Sequence, residues 1–172
     1  ISQDFTLLAT QGYKGVSLYD HIGISLFRAL SGFVLGVLLG VPLGLLTGFT
    51  KTGNALVSPI MAFLRPIPPI AFIPMVVLYF GLGETGKVVL IFWTAFNYVH
   101  VNAHSGAANV PLAYLRAAKS LGLTRWQQFF RIIFPAAIPQ IFTGLRVAMA
   151  LSWAVVVAAE LTGAQEGLGY MI

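Results

Sequence analysis

The chain contains no cysteine, and that absence removes disulfides, zinc–thiolate sites and thiol nucleophiles from consideration, while leaving the redox compartment open. Charge is scarce as well: 9% of the 172 residues are charged, against 58% hydrophobic and a mean hydropathy of +0.85. So few polar side chains cannot cover a water-soluble globule, and a bilayer is the natural solvent. Acidic residues are the rarest kind, five against ten Lys and Arg, with none between Glu84 and Glu160. A soluble basic face of the kind nucleic acid needs is missing too, which excludes that partner. The first residues, Ile1-Ser-Gln-Asp4, supply neither an initiator Met nor the basic and apolar regions of a signal peptide.

What is present is a series of long uncharged runs. Arg28 to Lys51 is free of charge and meets the roughly 20 residues needed to cross a hydrocarbon core about 30 Å thick. A first span is expected over about 21–49. From Asn54 to Gly83 a second apolar stretch is interrupted by Arg65 and by Pro66, Pro68, Pro69 and Pro74, so it should be kinked or broken. A third span, about 86–109, carries the polar residues Asn97, His100, Asn102, His104 and Asn109. A fourth, about 135–161, is apolar apart from Arg146 and Glu160. Gly163 to Gly169 reads as a loop. The expectation is an all-α polytopic bundle of about four spans in a single transmembrane domain, 1–172, that lacks a first and a last span.

Between the third and fourth spans lies a basic island, Arg116, Lys119, Arg125 and Arg131. By the positive-inside rule it is cytoplasmic. Counting back, the 81–87 loop is then outside, the Lys51 loop inside and the N-terminal segment outside; Lys51 agrees, whereas Lys14 and Lys87 weigh against it. The island, 110–134, has its own punctuation. Asn109 is expected to cap a short helix with Pro111 near its first turn, and Gly122 to end it in a left-handed turn. Thr124 and Gln127 form a capping box for a second short helix ending near Pro135. Trp126, Phe129, Phe130 and Ile133 give that helix an apolar face, and Arg125, Gln128 and Arg131 are expected to keep the other face wet. An interfacial helix lying on headgroups and a knob for a cytoplasmic groove both fit.

Gly32, Gly36, Gly40, Gly44 and Gly48 recur every fourth residue in the first span. They make one smooth stripe for close helix packing, as lipid offers no hydrophobic drive between helices. Gly81 to Lys87 imitates a phosphate-binding loop, but Val88 replaces the magnesium-holding hydroxyl and Glu84 would repel phosphate. His100 and His104, one turn apart, could share a metal; with no Asp, Glu or Cys nearby, no metal site is assigned. Asn97, His100 and His104 are candidates for lining a pathway or for packing polar groups together. Arg146 must pair or snorkel, and Glu160, nearly four turns along, could reach it only across subunits or elsewhere in the fold.

The stretch Arg116-Ala-Ala-Lys-Ser-Leu-Gly122 through Ile132-Ile-Phe-Pro135 resembles the EAA signature of bacterial ABC-importer permeases, with Arg116 in place of Glu and Phe134 in place of Leu. Arg65-Pro-Ile-Pro-Pro-Ile-Ala-Phe-Ile-Pro74, Phe80 to Lys87, Thr143-Gly-Leu-Arg146 and Ala158-Ala-Glu160 are similar to the permeases for taurine, aliphatic sulfonates and nitrate. The resemblance covers about 20–172. It implies a type I importer in the bacterial inner membrane: a homodimer of permeases, two cytoplasmic ABC ATPase subunits that bind the ATP and Mg, and a periplasmic or lipid-anchored substrate-binding protein. The permease chain itself then holds no cofactor and no catalytic residue. Arg116, Ala117, Ala118, Lys119, Gly122, Thr124, Arg125 and Trp126 would couple to the ATPase, and Asn97, His100, His104, Arg146 and Glu160 would line the pathway. The substrate implied is a small anion or zwitterion such as taurine, an alkanesulfonate or nitrate, although the polar run Asn97 to His104 departs from taurine-type members. Two rivals stay open. One is an ATP-independent channel or scaffold whose basic loop rests on lipid. The other is a membrane enzyme built from His100, His104 and Glu160.

Overall fold

The computed structural model describes residues 18–81 and 83–161; the loop expected at 163–169 lies outside them. Helix α1, Leu18–Phe49, covers the first expected span. It stops where Thr50 turns extended and accepts a bond from the Gly53 N–H, which starts α2, Lys51–Leu64. The proline run then does what its missing donors dictate. The chain leaves helical geometry after Arg65, makes a 3₁₀ turn at Pro69–Phe72, and resumes as α3, Ile73–Phe80. The two arms of this pair meet at 82°.

Helix α4, Glu84–Ala108, is the most buried element and lies between α1 and the last helix. The glycine stripe of α1 explains the position. Gly32, Gly36, Gly40, Gly44 and Gly48 face Ile91, Ala95, Val99, Ala103 and Ala107 in turn. Both sets of numbers rise together, so α1 and α4 are parallel, and a Cβ on Gly44 would come within 2.5 Å of the His100 carbonyl oxygen. On the other flank Gly106 meets Ala137 and Gly144 meets Asn102, an antiparallel contact. The apolar core is strung along α4: Leu90 and Ile91 pack with Ala29, Val155 and Val156 at one end, and Ala103 and Ala107 pack with Leu45, Ile133 and Ala137 at the other. Leu26, Leu30, Leu38, Leu39 and Leu46 cover the outer face of α1 and are exposed, as suits a helix solvated by lipid or a partner.

Parallel α1 and α4 fix the course of what joins them. From Phe49 at one end of α1, residues 51–83 must return to the level of Arg28, a climb of roughly 30 Å at 1.5 Å per residue. The bent pair therefore traverses the bundle.

After α4 come α5, Leu112–Ser120, and α6, Arg125–Gln128, which runs through a π turn at Phe129–Ile133 into α7, Phe134–Leu161. Three sequence expectations are corrected here. The second loop helix does not end near Pro135; Arg125–Leu161 is one continuous 37-residue helix. In the π turn the Phe134 N–H bonds Phe129 O, and this wider backbone sits just before Pro135, where a helix must do without a donor. Asn109 closes α4 and does not cap α5: its N–H bonds Ser105 O and its side chain bonds Ser105 Oγ, leaving Pro111 at the start of α5. Gln128 is buried, because its amide donates to Leu123 O at 2.8 Å and ties α6 back to the turn.

Candidate functional site

The loop between α4 and α7 is built from short-range signals that reinforce each other. Helix α5 ends at Gly122 with φ +74°. The Gly122 N–H bonds Lys119 O and the Leu123 N–H bonds Ala118 O, the paired bonds of a Schellman turn, which favours glycine because a Cβ resists positive φ. Two residues on, Thr124 N–H bonds Gln127 Oε1 at 2.8 Å and Gln127 N–H bonds Thr124 Oγ1 at 3.4 Å, closing the capping box. Ala118 is buried beneath the turn, while Arg116, Ala117, Lys119, Gly122, Thr124, Arg125 and Trp126 are exposed. Leu121, Trp126 and Phe130 project as bare apolar surface, with the Trp126 and Phe130 rings stacked at 6.2 Å. The result is a tight knob with an apolar tip and cationic flanks, fused through the π turn to α7.

Within the bundle, Asn97 and His100 are buried and His104 is half-buried. Both rings meet Thr47 of α1, a residue the sequence reading passed over: Thr47 Oγ1 lies 3.3 Å from His100 Nε2 and 2.9 Å from His104 Nδ1. The same hydroxyl lies 2.9 Å from Gly44 O, so Thr47 Oγ1 is the point where both rings meet α1, with the direction of each bond set by the tautomer of its imidazole. Among the described residues, His100 Nδ1 and Asn97 Oδ1 are buried without a partner, and no group of three metal-ligating side chains occurs.

Arg146 and Glu160 do not join this group. Arg146 is on the exposed face of α7. Glu160 is fully buried and pairs with Arg28, whose Nη1 donates to Glu160 Oε1 at 2.7 Å; Ser25 Oγ donates to the same oxygen at 2.6 Å. The other edge of the guanidinium grips Glu84 through both Nε and Nη2, and Lys87 Nζ adds a bond to Glu84 Oε1 at 3.0 Å. Glu160 is thus held by Arg28 within this chain and not by Arg146. This cluster of two cations and two carboxylates ties the starts of α1 and α4 to the end of α7. A signal for it existed. Arg28, Glu84 and Glu160 stand at the same end of three spans once topology is assigned, and a buried charge must find its opposite. The cluster also disposes of the phosphate-loop imitation, since Lys87 is occupied by Glu84. Because Glu160 is level with Glu84, it lies about 16 residues, or roughly 24 Å, along the bundle from His100. The constellation that a membrane enzyme would need is not assembled.

At the opposite end a cavity of about 670 Å³ opens between the α1–α2 junction, the end of α4 and the knob, bordered by Lys51, Arg116, Lys119 and Arg125.

Comparison with known proteins gives one answer at several levels. Residues 24–172 match the profile described as binding-protein-dependent transport system inner membrane component. The chain is 39% identical over 167 residues to the taurine transport system permease protein TauC of Escherichia coli (strain K12), covering 97% of this chain and 61% of that one. It is 38% identical over 155 residues to the putative aliphatic sulfonates transport permease protein SsuC of Bacillus subtilis (strain 168), covering 90% and 56%. With the nitrate import permease protein NrtB of Synechocystis sp. (strain ATCC 27184 / PCC 6803 / Kazusa) identity is 35% over 176 residues, covering 100% and 64%. The chain spans about three fifths of the length of these curated relatives. Among solved structures, the inward-facing MetNI methionine ABC transporter superposes with a TM-score of 0.75 at 19% identity, over 99% of this chain and 81% of that one, a likeness of fold.

Proposed function

Because the chain belongs to the family of binding-protein-dependent transport system inner membrane components, we propose that it forms half of the translocation pathway of an ATP-driven importer and carries the knob that couples this pathway to a cytoplasmic ATPase. The observation that carries the reading is the knob itself. A Schellman turn and a capping box lock two short helices together, and a continuous helix joins the second of them to α7. A push on Trp126 therefore reaches the membrane without passing through a flexible joint.

In this reading the bundle crosses the inner membrane four times, as α1, the bent α2–α3 pair, α4 and α7, with the knob in the cytoplasm. Two copies enclose the pathway, and two ATPase subunits receive the knobs in surface grooves by helix-in-groove contact. A binding protein on the far side delivers the substrate, a small anion or zwitterion of the taurine, alkanesulfonate or nitrate kind, in keeping with the relatives' names. Asn97, His100 and His104 contribute polar groups at mid-membrane, and Arg146 contributes a cation from α7.

The test exploits the conformation at Gly122, where a Cβ would meet no neighbour and strain comes from φ alone. Asn visits the left-handed region far more readily than a β-branched residue. Gly122→Asn should co-purify with the ATPase and support ATP-driven uptake in proteoliposomes. Gly122→Val should lose about tenfold or more of both, as a strain of roughly 1–2 kcal/mol unseats the turn. Equal behaviour of the two variants, or uptake that continues without ATP, would refute coupling through this loop.

A further inference from the structure

The cavity at the knob end has features that docking to an ATPase does not require. Its border carries Lys51 from α2, Arg116 and Lys119 from α5, and Arg125 from α6, so three separate elements aim cations at one space of about 670 Å³. Among the described residues no Asp or Glu lines it; Glu84 and Glu160 are committed at the other end of the bundle. Arg116, at the position where the EAA pattern has Glu, adds a positive charge to this rim. Four cations with no ion pair among the described residues, set around a concave space, focus potential and draw in a polyvalent anion. The wall is different: Phe49 and Leu115 line the same cavity, beside the point where the long apolar helix α1 ends. A cationic rim over an apolar wall, at the depth where a span leaves the hydrocarbon, has the chemistry of a headgroup site.

We infer that this cavity binds a phosphate-bearing anion, with the rim cations on the phosphate, and that an anionic phospholipid of the adjoining leaflet is the source that also uses the apolar wall. Free inorganic phosphate shares the rim chemistry but makes no use of Phe49 or Leu115. The inference stands apart from the import reading, because lipid retention is measured without ATPase or substrate.

The experiment is to purify the protein in mild detergent with phosphatidylglycerol, count retained lipid by native mass spectrometry, and repeat the titration in nanodiscs against phosphatidylcholine. Wild type should keep phosphatidylglycerol selectively. Arg116→Gln/Lys119→Gln should lose about tenfold or more of that retention, from roughly 1 kcal/mol per cation, and Lys51→Gln, on a different helix, should lose a smaller share. Arg131→Gln, a cation outside the cavity, should retain lipid as wild type does; all four positions are exposed, and each variant's fold is checked by its elution profile. Failure of millimolar phosphate to displace the lipid supports the lipid source, and displacement supports the phosphate source at the same rim. Equal retention by wild type and the double variant would overturn the inference. So would an equal loss in Arg131→Gln, which would reduce the effect to general surface charge.

Discussion

Arg28 is the most heavily committed side chain among the described residues. It is 3% exposed at the side chain, and the carboxylate of Glu160 that it neutralises is fully buried. Removing one partner of a buried pair leaves the other charge stranded, at a cost of about 3–5 kcal/mol. Arg28→Met should therefore lower the thermal unfolding midpoint in detergent sharply, and Arg28→Met/Glu160→Met should recover much of the loss; if the double variant is no better than the single one, burial of Glu160 is not what Arg28 compensates. Thr47 offers a milder case. Thr47→Val removes the hydroxyl shared by His100 and His104 and should destabilise by about 1–3 kcal/mol, whereas Thr47→Ser should match wild type in the same assay. Neither Arg28 nor Thr47 was singled out from sequence, although the buried groups they satisfy, Glu160 and the two histidines, were. A polar residue inside a span announces itself by composition, but its partner comes from another helix and emerges only when helices are set side by side.

Elements were more legible than contacts. The segments expected at 21–49, 86–109 and 135–161 coincide with helices α1, α4 and α7 within two or three residues, and among the described helices α1 and Arg125–Leu161 are each long and apolar enough to cross a membrane. The proline run forecast a break that the 82° bend fulfils. Gly122 and the Thr124–Gln127 box appear where their local chemistry puts them. What escaped was the junction of α6 with α7, because Pro135 reads as a stop unless the backbone widens ahead of it, and a π turn leaves no compositional mark. The glycine stripe yields a prediction at this scale. Gly44→Ala must push a methyl to within 2.5 Å of His100 O, and Gly36→Ala meets Ala95 Cβ at 2.6 Å, so each should cost about 1–3 kcal/mol. Gly23→Ala on the same helix meets nothing within 4 Å and should be neutral or slightly stabilising; equal effects at all three positions would mean that the stripe does not set the packing.

For the molecule as a whole the decisive question is which end faces which compartment, and the lack of native cysteine makes single-cysteine labelling direct. Ser120→Cys, on the exposed part of the knob, should react with an impermeant maleimide only from the cytoplasmic side. Thr85→Cys, in the first turn of α4, should react only from the outside; reversed patterns would invert the orientation and remove the knob from any cytoplasmic partner. The parallel packing of α1 on α4 has one more consequence. Both surfaces repeat every four residues, like two combs of equal pitch, so a slide of α1 by one tooth, roughly 6 Å, would again set most of its glycines against members of the same α4 row, Ile91, Ala95, Val99, Ala103 and Ala107. Periodicity secures closeness and leaves the alignment degenerate. Arg28, fastened to Glu84 and Glu160 at one end of the comb, supplies the zero mark, since a slip of one tooth would carry the guanidinium beyond hydrogen-bonding reach of both carboxylates.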